Sequence, residues 1–380
     1  MSKGLRQAAG SLLVVGLGGT ELTGLERAWL RLVRPGGVIL FKRNIVDATQ
    51  TRALLDEATG LGTRHSVRCV DVEGGLVNRL RDALAPFPSA QAVGTAIQKT
   101  KKPALAREHG ELIARAVKAF GFNTTLAPVV DLGLPESAEV LGSRPPGPTA
   151  AEVVEYARAY LAGLNAHGVT GCGKHFPGLG GAASDTHFVT PEIGRTWQQI
   201  WSEDLVPYRD LRAAMPMIMM NHAAYPETPG KHMPASASAF WITKVLRKRI
   251  GYRGIILSDD LEMGGILKFM PVDLAAIAAV RAGSDLLEIC HSAELILRSY
   301  EALIAEGERS AAFRTLLLTR ARDVERKCAR QYSAGVARPS SAKQLESLRG
   351  QIFRFGEKIK AASSATDVVD PRLASPAEVS

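Results

Sequence analysis

The stretch "GVTGCGKHFPGLGG" (168–181) decides between two folds. Its first residues fit the G-x-x-x-x-G-K pattern of a phosphate-binding loop, which would make the chain a nucleotide-binding protein. Such a loop follows a strand, carries Ser or Thr after the Lys to hold magnesium, and opens a helix whose amides face phosphate. Here a helical pattern, "AAEVVEYARAYLAGLNAHG" (150–168), precedes it and His175 occupies the Ser/Thr position. "FPGLGG" then places Pro and Gly where a helix would have to begin. The match is accidental, and 168–174 reads as a strand that ends on Lys174 and His175.

Similar short runs rich in Val, Ile and Leu recur on both sides: "SLLVVGL" (11–17), "GVILF" (37–41), "VRCVD" (67–71), "TTLAPVVD" (124–131), "MPMIMMNH" (215–222), "GIILSDD" (254–260) and "SDLLEIC" (284–290). Between them lie amphipathic helical patterns, such as 105–121 and 150–168, each ending in a Gly suited to a helix C-terminus. Apolar strands alternating with helices imply an α/β protein with a parallel sheet covered on both faces. Eight such units fit a (β/α)8 TIM-type barrel, although an open doubly wound sheet would also carry ligands at its strand ends. From residue 331 the character changes to one helical stretch (342–361) and a Ser-, Ala- and Pro-rich tail expected to be disordered. We therefore expect a single catalytic domain over 1–330 and an extension over 331–380.

With 46% hydrophobic and 22% charged residues in 380, the composition is that of a folded soluble protein. The four cysteines (Cys69, Cys172, Cys290, Cys328) stand far apart, without the spacing of a zinc site or a disulfide framework, and read as free thiols in a reducing compartment. The basic start followed by "SLLVVGL" has the outline of a signal peptide, but the run is short and lacks a cleavage pattern, so a first buried strand is the better reading. No segment reaches the roughly 20 apolar residues of a membrane span. The net charge of +9 is spread along the chain without aromatic interleaving, which argues against a nucleic-acid partner. A cytoplasmic protein is expected.

A barrel builds its active site at the C-terminal ends of its strands. Those ends read Lys42-Arg43, Asp71 with Glu73, Asp131, Lys174-His175, Asn221-His222, Asp259-Asp260 and Cys290-His291. Asp259 follows an apolar run; alone, it reads more readily as a helix cap than as a carboxylate poised to attack an anomeric carbon. Asp260 or Ser258 can serve the backbone while Asp259 faces the mouth. Asp71 and Arg79 flank a Gly pair and suit a polar ligand, since carboxylates accept from hydroxyls and Arg offers a rigid fork of donors. Arg81 reads as a surface residue. His187 lies beyond a run of Gly and Ala whose small residues suggest hinge freedom. An imidazole titrates near pH 6.5, about where a group must both give and take a proton, and Asp185 can orient it. In isolation this pair reads more readily as a surface His on a flexible loop.

Taken in order, "GGVILFKRN" (36–44), "VDVEGGLVNRL" (70–80), "APVVDLG" (127–133), "KHFPGLG" with "SDTH" (174–187), the segment 233–263 and "AGSDLLEIC" (282–290) resemble the bacterial β-N-acetylhexosaminidases of glycoside hydrolase family 3 over roughly residues 10–330. The resemblance implies a retaining glycosidase in one (β/α)8 domain. In it Asp259 is the nucleophile, His187 the acid/base paired with Asp185, and Asp71, Arg79, Arg144, Lys174 and His175 bind the terminal N-acetylglucosamine. Arg144 rests on "EVLGSR", with Ser143 in the place of the family's Glu. Leu179 replaces a usual His, and "GAAS" (181–184) replaces a more polar run.

The implied substrates are muropeptide-derived N-acetylglucosaminyl-anhydro-N-acetylmuramic acid compounds of peptidoglycan recycling. Neither metal nor organic cofactor is implied, and a monomer is expected. Two alternatives stand beside this reading. A family-3 β-glucosidase usually draws its acid/base from a second domain, for which this chain is too short. The other is a non-catalytic, muropeptide- or sugar-sensing barrel.

Overall fold

Eight parallel strands form the centre of the molecule: β1 (Leu13–Val15), β2 (Gly37–Leu40), β3 (Val67–Val70), β4 (Thr124–Thr125), β5 (Thr170–Phe176), β6 (Met217–Met220), β7 (Ile255–Asp260) and β8 (Leu286–Ile289). Each pairs with its neighbours in sequence, and β8 returns to β1 in the register Leu13↔Leu287 and Val15↔Ile289, closing the barrel. Closure excludes the open doubly wound sheet. The structure, a computed structural model, describes residues 2–182, 190–333, 335 and 337–363.

The apolar runs become strands because both of their faces are covered, so every side chain of β1, β2, β6 and β8 is buried. The helices Ala104–Ala119 and Ala150–Ala166 pack against each other outside the barrel. They are followed by Gly121 (φ 90°) and Gly168 (φ 67°), a left-handed backbone that stops each helix and turns it into the next strand. β4 is shorter than its apolar run. Pro128 has no N–H for the ladder, and pairing beyond Thr125 is reduced to single contacts such as Cys172 N to Ala127 O (2.8 Å) and Lys174 N to Pro128 O (3.2 Å).

The first and last helices of the described residues lie outside the β/α alternation. Ser2–Ser11 buries Leu5, Ala8 and Ala9 against the helices Ala293–Arg309 and Ala311–Gln331, where the sequence reading saw only a basic lead-in to β1. The helix Ala342–Ser363 docks on Ala90–Thr100 and Ala104–Ala119, burying Ile352, Phe355 and Ile359 and pairing Lys358 with Glu108 at 2.6 Å. No helix among the described residues is long and apolar enough to cross a membrane.

Asp285, just before β8, is fully buried and receives Arg247 at 2.5 Å, Lys327 at 2.7 Å and Arg320 at 3.2 Å, as well as the backbone N–H of Ile256. It fastens the starts of β7 and β8 to the helices outside them, at the stability face of the barrel.

The small residues after β5 are packed closely in this structure. Gly178, Leu179, Gly180 and Ala182 are buried. Gly178 has φ 133°, and a Cβ there would lie 2.9 Å from Asp204 Cβ; one at Gly180 would lie 2.8 Å from the Leu132 carbonyl oxygen.

Candidate active site

A cavity of about 310 Å³ opens at the C-terminal ends of the strands. Its wall includes Asp71, Arg79, Arg144, Lys174, His175 and Asp259, so six of the residues singled out from the sequence meet in one place. His187 and Asp185 lie outside the described residues.

Asp71 follows β3 directly and leads into an antiparallel hairpin, Val72–Gly74 with Val77–Asn78. The hairpin turns on Gly74 (φ 98°) and Gly75 (φ 58°), positions that suit only a residue without Cβ. This brings Glu73 and Arg79 to the same mouth as Asp71. Arg79 Nε is buried and has no hydrogen-bond partner among the described residues, while its guanidinium sits 5.7 Å from the Phe41 ring centroid. Arg81 behaves otherwise, donating to the Gly75 carbonyl of the hairpin.

Lys174 lies near the C-terminal end of β5 and points into a pair of acids, with Nζ 2.8 Å from Asp71 Oδ1 and 2.6 Å from Glu73 Oε1. Burial works against its charge, but the two carboxylates outweigh burial and raise its pKa. Arg144 arrives from a loop and binds the same Glu73 through two parallel contacts of 2.9 Å. Burial opposes the Glu73 charge as well, yet Arg144 and Lys174 together hold this carboxyl far below the usual range. The group is thus a carboxylate fixed between two cations.

His175 is clamped from two sides. Its Nδ1 lies 2.7 Å from Asp131 Oδ2 and its Nε2 lies 3.0 Å from Arg144 Nη2. Arg can only donate, so Nε2 accepts, and the hydrogen sits on Nδ1 and is donated to Asp131. Asp131 also accepts the backbone N–H of Leu179 at 2.8 Å, which ties the glycine-rich segment to the floor of the site. Asn221 holds the His175 carbonyl at 3.0 Å and donates to Tyr225 Oη at 2.8 Å.

Asp259 ends β7 with its carboxyl on the cavity. Burial opposes its charge, but His222, His175, the Asp260 backbone N–H and Lys174 favour it more, and its pKa lies below the ordinary carboxylate value. Its surroundings thus favour the ionised carboxylate. The neighbouring residues take the backbone duties expected of them. Asp260 Oδ1 accepts the Glu262 N–H at 3.0 Å and Ser258 Oγ accepts the Glu288 N–H at 3.0 Å. Of the other strand-end residues, His291 lies 3.3 Å from Asp260 Oδ2 and 3.1 Å from Arg43 Nη1 at the rim, whereas Lys42 turns outward to Asp82.

The sequence reading located Glu73 and Asp131 at strand ends but assigned them no partner; the structure makes them the groups that hold Arg144, Lys174 and His175. It missed Glu288 altogether. The available signal was an acid inside the otherwise apolar strand "LLEI".

Comparison with known proteins gives one consistent result. A β-hexosaminidase of Stenotrophomonas maltophilia is 35% identical over 309 residues, covering 80% of this chain and 91% of that protein. A β-hexosaminidase of Idiomarina loihiensis is 32% identical over 302 residues, covering 80% and 90%. Among solved structures, a glycoside hydrolase family 3 β-N-acetylglucosaminidase from Paenibacillus superposes with a TM-score of 0.83 at 28% identity, covering 93% of this chain and 68% of that one. NagZ from Neisseria gonorrhoeae, solved in complex with N-trifluoroacetyl-D-glucosamine, superposes with a TM-score of 0.75 at 26% identity, covering 94% and 98%. With the model of the glycosyl hydrolase family 3 N-terminal domain matching residues 5–316, a closed barrel and a carboxylate-lined mouth, this chain belongs to glycosyl hydrolase family 3.

Proposed function

We propose that this protein is a retaining β-N-acetylglucosaminidase that removes terminal, non-reducing N-acetylglucosamine from muropeptide-derived disaccharides, acting as a cytoplasmic monomer in peptidoglycan recycling. The observation that carries the chemistry is Asp259, a carboxyl on the cavity wall whose surroundings favour its ionised form. The sugar class is supported by the β-hexosaminidase relatives and by the N-acylated glucosamine bound in the gonococcal neighbour. The catalytic domain of this reading is 1–330, with 331–380 as an extension.

In the proposed reaction an Asp259 oxygen attacks C1 while His187 protonates the leaving glycosidic oxygen, so that the C1–O bond breaks as a glycosyl ester forms. The leaving alcohol departs with the proton from His187. The now neutral imidazole, oriented by Asp185, takes a proton from water, whose oxygen attacks C1 from the opposite side and frees Asp259. Configuration at C1 is retained because it is inverted twice. Asp71, Arg79, Arg144, Lys174 and His175 hold the sugar: carboxylates accept from hydroxyls, and Arg79 Nε, which has no partner among the described residues, is a donor available to an acceptor. Every step uses side chains of this chain alone, without metal or organic cofactor.

The test is hydrolysis of 4-nitrophenyl N-acetyl-β-glucosaminide beside the corresponding glucoside. Preference for the glucoside would favour a β-glucosidase, and binding without turnover a sensing barrel. An activated 2-fluoro sugar should label Asp259, and Asp259→Asn should lower turnover by at least about 10⁴-fold; a label on another residue would overturn the assignment.

A further inference from the structure

The floor of the cavity holds an acid for which the proposed reaction has no use. Glu288 lies within β8, at an inward position of the kind that barrels fill with branched apolar side chains. The side chains that β2, β6 and the β4 segment contribute to the same cavity, Ile39, Met219 and Leu126, are apolar. Glu288 is 2% exposed, and its carboxyl reaches across the barrel to within 3.9 Å of Cys69 Sγ on β3, two residues before Asp71. Its backbone pairs in register with Asp260 of β7. Its position is thus on the cavity wall, on a strand between those that carry Asp71 and Asp259.

A thiol is a weak donor, and this is the one hydrogen bond that the Glu288 carboxyl makes among the described residues. Lys174, the nearby cation, is already held by Asp71 and Glu73. Burial, followed by repulsion from Asp71, Asp259 and Asp260 that Lys174 only partly offsets, pushes the Glu288 carboxyl well above the usual range and so favours its protonated form. A leucine would fill the layer without this desolvation. The acid therefore answers to something that enters the cavity.

We propose that Glu288 is a further substrate-reading residue, its carboxyl contacting a ring hydroxyl at the buried, non-reducing end of the bound sugar. The inference rests on the carbohydrate-hydrolase reading above. A cavity that removes terminal sugars closes around the non-reducing end, so the hydroxyls at C3, C4 and C6 are those offered to its floor. Each both donates and accepts, as does a neutral carboxyl. A site built to satisfy a particular hydroxyl rejects the sugar that lacks it more strongly than an apolar floor does.

The experiment compares wild type, Glu288→Gln and Glu288→Leu on 4-nitrophenyl N-acetyl-β-glucosaminide and its 3-, 4- and 6-deoxy forms. Glu288→Gln, neutral and able to donate and accept, should stay within about threefold of wild type, whereas Glu288→Leu should lose about 30-fold in kcat/KM on the parent glycoside. One deoxy glycoside should lose a similar factor with wild type and lose nothing more with Glu288→Leu. An equal factor on all four glycosides, or no loss on the parent, would overturn the proposal while wild-type turnover left the hydrolase reading standing. Glu288→Met gives the same comparison should the Leu variant not fold. If wild type shows no turnover, the hydrolase reading fails by itself. Calorimetric titration with N-acetylglucosamine and its deoxy forms then reads the same coupling, and absence of binding or of coupling overturns the proposal.

Discussion

Arg144 grips Glu73 at two points, Nε to Oε2 and Nη2 to Oε1, each at 2.9 Å, and the same carboxylate receives Lys174 at 2.6 Å. One buried acid thereby positions two of the cations proposed to hold the sugar. Glu73→Gln would leave Lys174 with Asp71 as its anionic partner and Arg144 with no carboxylate in direct contact among the described residues. Breaking a buried pair in this way is expected to lower the unfolding free energy by about 3 kcal/mol, read from urea denaturation. The same variant should raise KM more than it lowers kcat, because the affected groups bind the sugar. An unchanged denaturation midpoint would show that the contact contributes nothing to stability.

His187→Ala should slow release from natural disaccharides by about 10²- to 10⁴-fold. Aryl glycosides with good leaving groups need less protonation and should suffer less. Steady-state rates on both substrates decide the matter: equal losses would count against His187 as the acid.

At the opposite face of the barrel, Asp285 ties Arg247, Lys327 and Arg320 together from a fully buried position. Burial opposes its charge, but the three cations outweigh burial and lower its pKa. A carboxyl lowered on folding contributes stability that is present above its unfolded value, about 3.9, and lost as pH falls through the native value. Asp285→Asn should therefore destabilise the protein by about 3 kcal/mol at pH 7, with the gap to wild type narrowing below about pH 4. Denaturation at the two pH values, with activity per folded molecule unchanged at pH 7, checks both the sign and the distance from the site.

Gly178 links packing to chemistry. Its φ of 133° and the approach of Asp204 leave no room for a Cβ. The next residue, Leu179, donates to the Asp131 that orients His175. Gly178→Ala should cost more than about 1 kcal/mol in stability and lower kcat/KM as well. Gly194→Ala, where a Cβ meets nothing within 4 Å, is the control and should change neither.

The alternation of strands and helices could be read from the chain because an apolar run and a 3.6-residue periodicity are local properties. The polar residues at the mouth were legible for the same reason: where an apolar run stops, the next residue is carried to the strand end. Asp71, Lys174, His175 and Asp259 were found in this way and line the cavity. Arg144 was reached only through family resemblance, since it sits on a loop and no periodicity points to it.

Determined by the sequence alone, then, were the alternating α/β class and the chemical inventory of the strand ends; closure into a barrel was decided by the structure. The tertiary structure decided which of those groups hold one another. Glu73 meets Arg144 across 71 residues and Asp131 meets His175 across 44, through contacts that exist only once the sheet has closed in a particular register. The structure also turned Glu288 inward and made Gly178 a packing position. Inward or outward is settled by the one-residue parity of a strand against its neighbours, and room for a Cβ is settled by whatever distant segment lies against it.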